Sequence, residues 1–268
     1  MRQRKTIFHI VFCICFICSC AQVPLTNRRS LNLLPESQML ALSLEQYGKV
    51  INEANRSRNR EDTELVKRVG KRIAGAAERF MNDSGLQENL KNYKWEFTLI
   101  EDDKTANAWC MPGGKVAVYS GIFKYTKDEN GLAVVIGHEV AHAIARHGNE
   151  RMSQGLIASM GGIALSVALS EKPSRTRNLF MTAYGVGSSL AVLLPYSRLH
   201  EYEADRIGLT LMAMAGYDPR KAVSFWNRME GQKEKDRPPE YLSTHPAPES
   251  RIAHINYYIR EALPYYRR

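Results

Sequence analysis

Gly131-Leu-Ala-Val-Val-Ile-Gly-His-Glu-Val-Ala-His-Ala-Ile-Ala145 is the stretch on which the reading of this chain turns. It is apolar all round, the pattern of a buried helix. Residues four apart on a helix share a face, so His138 and His142 point two imidazoles at one cation, and Glu139, one step round, reaches a water beside it. The alternative is a helix with two satisfied core histidines and a surface Glu. It requires an apolar helix to bury two histidines and a carboxylate, which is strongly unfavourable unless a metal or an ion pair compensates. The pattern therefore points to metal-assisted hydrolysis at zinc.

A catalytic zinc takes three protein ligands and keeps a fourth position for water. A third histidine six residues past His142, after a Gly turn, is one solution. It fails here, because position 148 is Gly and position 145 is Ala. His147 is one place out and reads as a helix C-terminal cation beside a Gly148 stop. The second solution is a carboxylate on another helix, and Ser197-Arg-Leu-His-Glu-Tyr-Glu-Ala-Asp-Arg-Ile-Gly208 supplies it. Glu201 and Asp205, again four apart, share a face. Glu201 is expected to bind the metal, and Asp205 to accept the outward N–H of a ligating histidine, His138. Glu203 points elsewhere and reads as exposed.

These motifs, with Ala215-Gly-Tyr-Asp-Pro219, Thr244-His-Pro-Ala-Pro-Glu-Ser-Arg-Ile252 and Asn107-Ala-Trp-Cys-Met-Pro-Gly-Gly-Lys-Val-Ala-Val-Tyr-Ser-Gly121, resemble peptidase family M48 over roughly residues 60–260. The resemblance implies an α+β, mainly helical, zincin-like metalloprotease fold, with a small β-sheet flanking the zinc helix. It also implies one Zn2+ per chain and, with the leader described next, a bacterial lipoprotein branch.

Residues 1–19 read as a lipoprotein signal peptide. Arg2, Arg4 and Lys5 precede an apolar run, Ile7 to Ile17, too short to span a bilayer, and Ile17-Cys-Ser-Cys20 closes it with Cys20 as the lipid-attachment residue. A lipid-anchored tether over 20–35 and a metallopeptidase domain over 36–268 follow. Of five cysteines, 13, 15 and 18 leave with the leader and Cys20 carries lipid. Cys110 remains alone in a loop, with no paired base, so the mature chain has no intramolecular disulfide. The expected location is the periplasmic side of a bacterial envelope, with the outer membrane favoured. Net charge is +9, three of it in the leader, leaving +6 that suits anionic head groups. Nucleic acid is set aside for want of a recognition motif.

Helices are expected over 35–55 and 61–80, strands over 94–100 and 115–119 after the Pro112-Gly-Gly114 turn, and a helix from Tyr217 to Met229. Gly155–Ser170 and Tyr184–Leu194 are apolar but short for a membrane span. Core packing is their default reading, an interfacial surface the minority one. Gly231–Pro239 reads as a loop delivering His245, which Pro246 holds extended. His245 is open to three readings: oxyanion stabiliser, latch on the fourth zinc position, or cap of a helix starting near Glu249. One of the two strands is expected to line the cleft and hold extended peptide by its backbone. Asn107 is a candidate substrate contact or plain turn chemistry.

In the expected reaction Glu139 takes a proton from water and passes it to the leaving amine. The substrates expected are unfolded or misassembled envelope proteins, with the membrane reached through the lipid. A chaperone-like assembly factor that cuts little, and a zinc hydrolase of non-peptide bonds, are the other readings.

Overall fold

The computed structural model describes residues 20–188, 194–231, 239–246 and 250–266. In chain order its elements are β1 (Cys20–Gln22), β2 (Arg29–Leu31), α1 (Glu36–Glu53), α2 (Arg60–Asp83), β3 (Glu96–Ile100), β4 (Ala108–Met111), β5 (Lys115–Tyr119), the single turn α3 (Phe123–Thr126), α4 (Glu129–Ile144), α5 (His147–Ala168), α6 (Ser174–Ser188), α7 (Leu194–Met214), α8 (Lys221–Glu230), α9 (Glu240–Thr244) and α10 (Arg251–Ala262). The mainly helical α+β architecture expected of the sequence is the one observed.

Helix α4 is the centre. Asp128 caps it by accepting from the Gly131 N–H at 2.8 Å, and every residue from Gly131 to Ile144 is buried. Helix α7 crosses it where Gly137 meets Gly208. A Cβ on either glycine would come within 3.0 Å of the other helix's backbone, so only glycine lets the two helices approach this closely. The approach brings α7 side chains onto the histidine face of α4.

Helix α2 packs on the same core through Val66, Val69, Ile73, Ala77 and Phe80. Its N-terminus is capped by Asn59, which accepts from the Asp62 N–H. The sheet has the order β3-β5-β4, with β3 parallel and β4 antiparallel to the central β5. Gly113 and Gly114 make the β4–β5 turn at φ of +86° and +82°. Two of the three strands, β3 and β5, lie where strands were expected. Strand β4 lies where the sequence reads as loop, and it is an edge strand.

Three expectations give way. Residues 23–29 are not a free tether: β1 and β2 pair as an antiparallel hairpin, Val23 is buried in the core, and Arg28 is ion-paired to the domain. Core packing is not the lot of the apolar stretch after Gly155. Helices α5 and α6 pack on each other and leave Ile157, Met160, Ile163, Val167, Leu179 and Phe180 exposed. No described helix is long and apolar enough to cross a membrane. Gly148 is no helix stop either. Helix α4 ends at Ile144, Arg146 takes a left-handed conformation at φ +59°, and α5 starts at His147. The leader over residues 1–19, the side chain of Cys20, most of the 231–239 loop and Glu249 lie outside the described residues.

Candidate metal centre

Four buried side chains from three segments converge: His138 and His142 from α4, Glu201 from α7, and His245 just past α9. His138 Nε2 lies 3.0 Å from His142 Nε2 and 3.2 Å from His245 Nδ1. The Glu201 carboxylate stands 3.2 Å from His138 Nε2 and 3.3 Å from both His142 Nε2 and His245 Nδ1. Ligand atoms about 2.0–2.1 Å from a tetrahedral zinc stand about 3.3–3.4 Å from one another, so these donors already have the spacing of a zinc shell. Three imidazole nitrogens pressed together in a dry interior cannot all be hydrogen-bond donors and acceptors to each other. A cation resolves that conflict, and zinc fits the donor set.

The charges around the cluster agree. Burial works against the imidazolium, yet Asp205 and Glu201 push His138 up to about 9. Burial likewise works against the Glu201 carboxylate, but His142, His138 and His245 hold it far below the carboxylate range. Imidazole and carboxylate thus stabilise each other's charged forms across the cluster.

Asp205 sits where it was expected, 3.0 Å from His138 Nδ1, although at an angle outside that of a well-formed hydrogen bond. Its carboxylate is gripped by Arg251, with Nε to Oδ2 at 2.9 Å and Nη2 to Oδ1 at 2.8 Å. Arg251 also reaches Glu201 at 3.3 Å and stacks over Trp226 at 3.4 Å. Sequence reasoning missed this fully buried arginine, although it lies in the quoted Thr244–Ile252 motif. It also missed Tyr241, whose hydroxyl donates to Glu139 Oε1 at 2.9 Å. One tyrosine among thirteen carries no local signal.

Glu139 is buried beside the cluster, its Oε1 3.3 Å from His245 Nε2. Asn107 is buried and is not among the four converging donors. Its amide donates to Glu240 at 3.0 Å and accepts from the Ala108 N–H at 2.8 Å. Cys110 is half-buried, and burial pushes its thiol well up, which suits no nucleophile.

Two assignments need correcting. Glu203 is buried, not exposed, and accepts from Thr26 Oγ1 at 2.7 Å and from Arg28 Nη2 at 2.8 Å. His147 is not a helix C-terminal cation: it is fully buried at the start of α5, its Nδ1 2.8 Å from His142 Nδ1 and its Nε2 3.3 Å from Glu203 Oε2. Burial, which outweighs Glu203, brings His147 down to about 4, so it is neutral at pH 7.

The chain is 35% identical over 246 residues to the mitochondrial metalloendopeptidase OMA1 of Schizosaccharomyces pombe, covering 90% of this chain and 66% of that protein. It is 36% identical over 184 residues to OMA1 of Arabidopsis thaliana, covering 67% of this chain and 35% of that protein. The β-barrel assembly-enhancing protease of Escherichia coli K12 is 31% identical over 188 residues, covering 65% of this chain and 37% of that protein. The chain thus spans from about a third to two thirds of these relatives' lengths. Relatives named as mitochondrial, from two yeasts, a plant and cattle, overturn the expected location on the periplasmic side of a bacterial outer membrane. The lipoprotein branch has no support from them. The sequence pattern of Peptidase family M48 matches residues 63–259, well over half of the chain. With the buried donors spaced for zinc and the helical fold around them, the match shows that this chain belongs to peptidase family M48 and is a zinc metallopeptidase.

Proposed function

We propose that residues 36–268 form a zinc metalloendopeptidase domain that hydrolyses unfolded or misassembled proteins, with His138, His142 and Glu201 as the zinc ligands and Glu139 as the general base. The observation that carries this reading is the convergence of four buried donors at ligand spacing, with a carboxylate beside them that is not one of the four. Zinc held there supplies positive charge that makes water acidic at neutral pH and stabilises an oxyanion. Glu139 takes the proton of the attacking water and delivers it to the leaving amine. Asp205, held by Arg251, keeps the proton of His138 on Nδ1 and its Nε2 free for the metal.

A cleft lined by Met39, Tyr93, Cys110, Pro112, His142 and Arg146 opens between edge strand β4 and the ligand His142. Strand β4 offers backbone groups to an extended peptide, which needs no particular side-chain sequence and suits unfolded substrates. The Escherichia coli relative, a protease named for enhancing β-barrel assembly, extends the substrate class to misassembled protein. The apolar faces left exposed on α5 and α6 support the interfacial reading of that hairpin, toward a membrane surface or a protein partner.

His245 serves here as a latch. Its Nδ1 lies among the donor atoms, 3.3 Å from Glu201, where it would take the fourth place on a bound zinc, and its Nε2 faces Glu139, while Tyr241, four residues earlier, also holds Glu139. One outward movement of residues 240–246 frees the water site and the base together. The His245→Ala variant is therefore expected to turn over casein faster than the parent. A slower rate, with zinc content unchanged, makes His245 an oxyanion stabiliser instead.

Casein hydrolysis that a chelator abolishes and zinc restores is the direct test of the proposed activity. No cleavage of any unfolded protein by zinc-loaded material would leave a hydrolase of another bond. The closed latch favours one second reading, a chaperone-like factor that seldom cuts. Full rescue of a deletion strain by the Glu139→Gln variant would select it.

A further inference from the structure

The N-terminal hairpin meets the metal centre through a buried polar chain that the proposed mechanism does not use. Arg28, between β1 and β2, is clamped by two carboxylates. Its Nη1 and Nη2 donate to Glu150 at 2.8 and 2.7 Å, and its Nε and Nη2 to Glu203 at 3.0 and 2.8 Å. Both glutamates are nearly fully buried. Glu203, further held by Thr26, faces His147 Nε2, and His147 Nδ1 faces the outward nitrogen of His142. The His147 ring lies flat on that of His200, 4.3 Å between centroids, and His200 Nε2 contacts Glu150 at 2.9 Å.

Proton positions follow from the ligand role. His142 presents Nε2 to the cluster, so the proton of its neutral ring is on Nδ1 and must be donated outward. The acceptor 2.8 Å away is His147 Nδ1, which is then bare, and the His147 proton sits on Nε2, aimed at the Glu203 carboxylate. Every donor in the chain has an acceptor, and the negative charge at its end is fixed by Arg28. On the other side of the site His138 is backed by Asp205 and Arg251. Each zinc histidine thus leans on a carboxylate held by an arginine, directly in one case and through a second imidazole in the other.

We infer that His147 is a positioning residue of the metal centre, and that the hairpin carrying Arg28 is a working part of it, because Arg28 and Glu203 fix the His147 tautomer that orients His142 for zinc. The inference rests on the proposed ligand role of His142. Groups that orient metal ligands from behind are worth about 10–100-fold in metal affinity.

The test measures zinc affinity of the full chain by competition with a chromophoric chelator, beside kcat and KM on casein. His147→Leu is expected to weaken zinc binding by about 10–100-fold, with kcat lowered and KM little changed. His147→Asn, whose carbonyl falls where Nδ1 lies, is expected to recover most of the affinity. Glu203→Gln and Arg28→Gln should shift it in the same direction as His147→Leu. Equal zinc affinity in His147→Leu and the parent overturns the inference, and so does an Asn variant as weak as the Leu variant, which would mark a packing role only. With the Leu variant unfolded, the near-isosteric Glu203→Gln decides on the same readout. A parent chain that holds no zinc refutes the proposed function instead.

Discussion

Glu139→Gln is expected to lower hydrolysis of unfolded casein by about 10²–10⁴-fold while zinc stays bound. The carboxylate is buried on the ligand helix, one residue from His138, yet it is not one of the four converging donors, so the amide leaves the metal shell intact. What is lost is basicity. The amide still fills the same space and still accepts from Tyr241, whose hydroxyl lies 2.9 Å from Oε1. Fold and substrate binding should therefore survive, and the loss should fall on kcat. Zinc content by elemental analysis and casein turnover on the same sample check both halves. A variant that keeps more than a tenth of the parental rate would remove Glu139 from the role of base. One that loses its zinc would place Glu139 in the metal shell.

Arg251→Met carries the largest expected effect on stability, a loss of about 3–5 kcal/mol in the metal-free protein. The guanidinium is fully buried, grips Asp205 with two nitrogens and stands 3.3 Å from Glu201. It also donates to the His245 carbonyl at 3.3 Å and covers the Trp226 ring. Methionine keeps the aliphatic stem but leaves two buried carboxylates short of a cation. The loss comes from that uncompensated charge, more than from any intrinsic strength of the pair. Adding Asp205→Asn should therefore recover part of it, since one of the stranded charges goes too. Zinc should recover part as well, by supplying positive charge from the other side of Glu201. Urea unfolding of the two variants and the parent, with and without zinc, measures each contribution. A single-variant loss below about 1 kcal/mol would mean that Asp205 is not ionised in the folded protein.

Much of the centre was legible because its information is local. The spacing of His138 and His142, and of Glu201 and Asp205, fixes a shared helix face whatever else the chain does. Zinc chemistry then demands a third ligand, which leaves few places to look. His245 was legible only as a set of alternatives, since a loop histidine before proline has no periodicity to aim it. Arg251 was written in the same motif, but nothing in its neighbours announces burial. The apolar run after Gly155 misled for a related reason: hydropathy reports what a segment prefers to touch, not whether a partner within the chain is there to touch it.

Residue identity and helical period thus determined the ligand helix, the carboxylate helix and the metal chemistry, and the resemblance of the combined motifs implied the family. Only the tertiary structure decided how deep the site lies and what stands behind it. Gly137 and Gly208 set the approach of α4 and α7, a contact between positions far apart in sequence. Glu203 looked like a solvated helix residue until a hairpin 175 positions upstream brought Arg28 onto it. The physical reason is that burial of a charge is a property of its surroundings. A helix pattern places a side chain on a face, but only the packing of distant segments decides whether that face meets water, an arginine or a metal ligand's outward nitrogen.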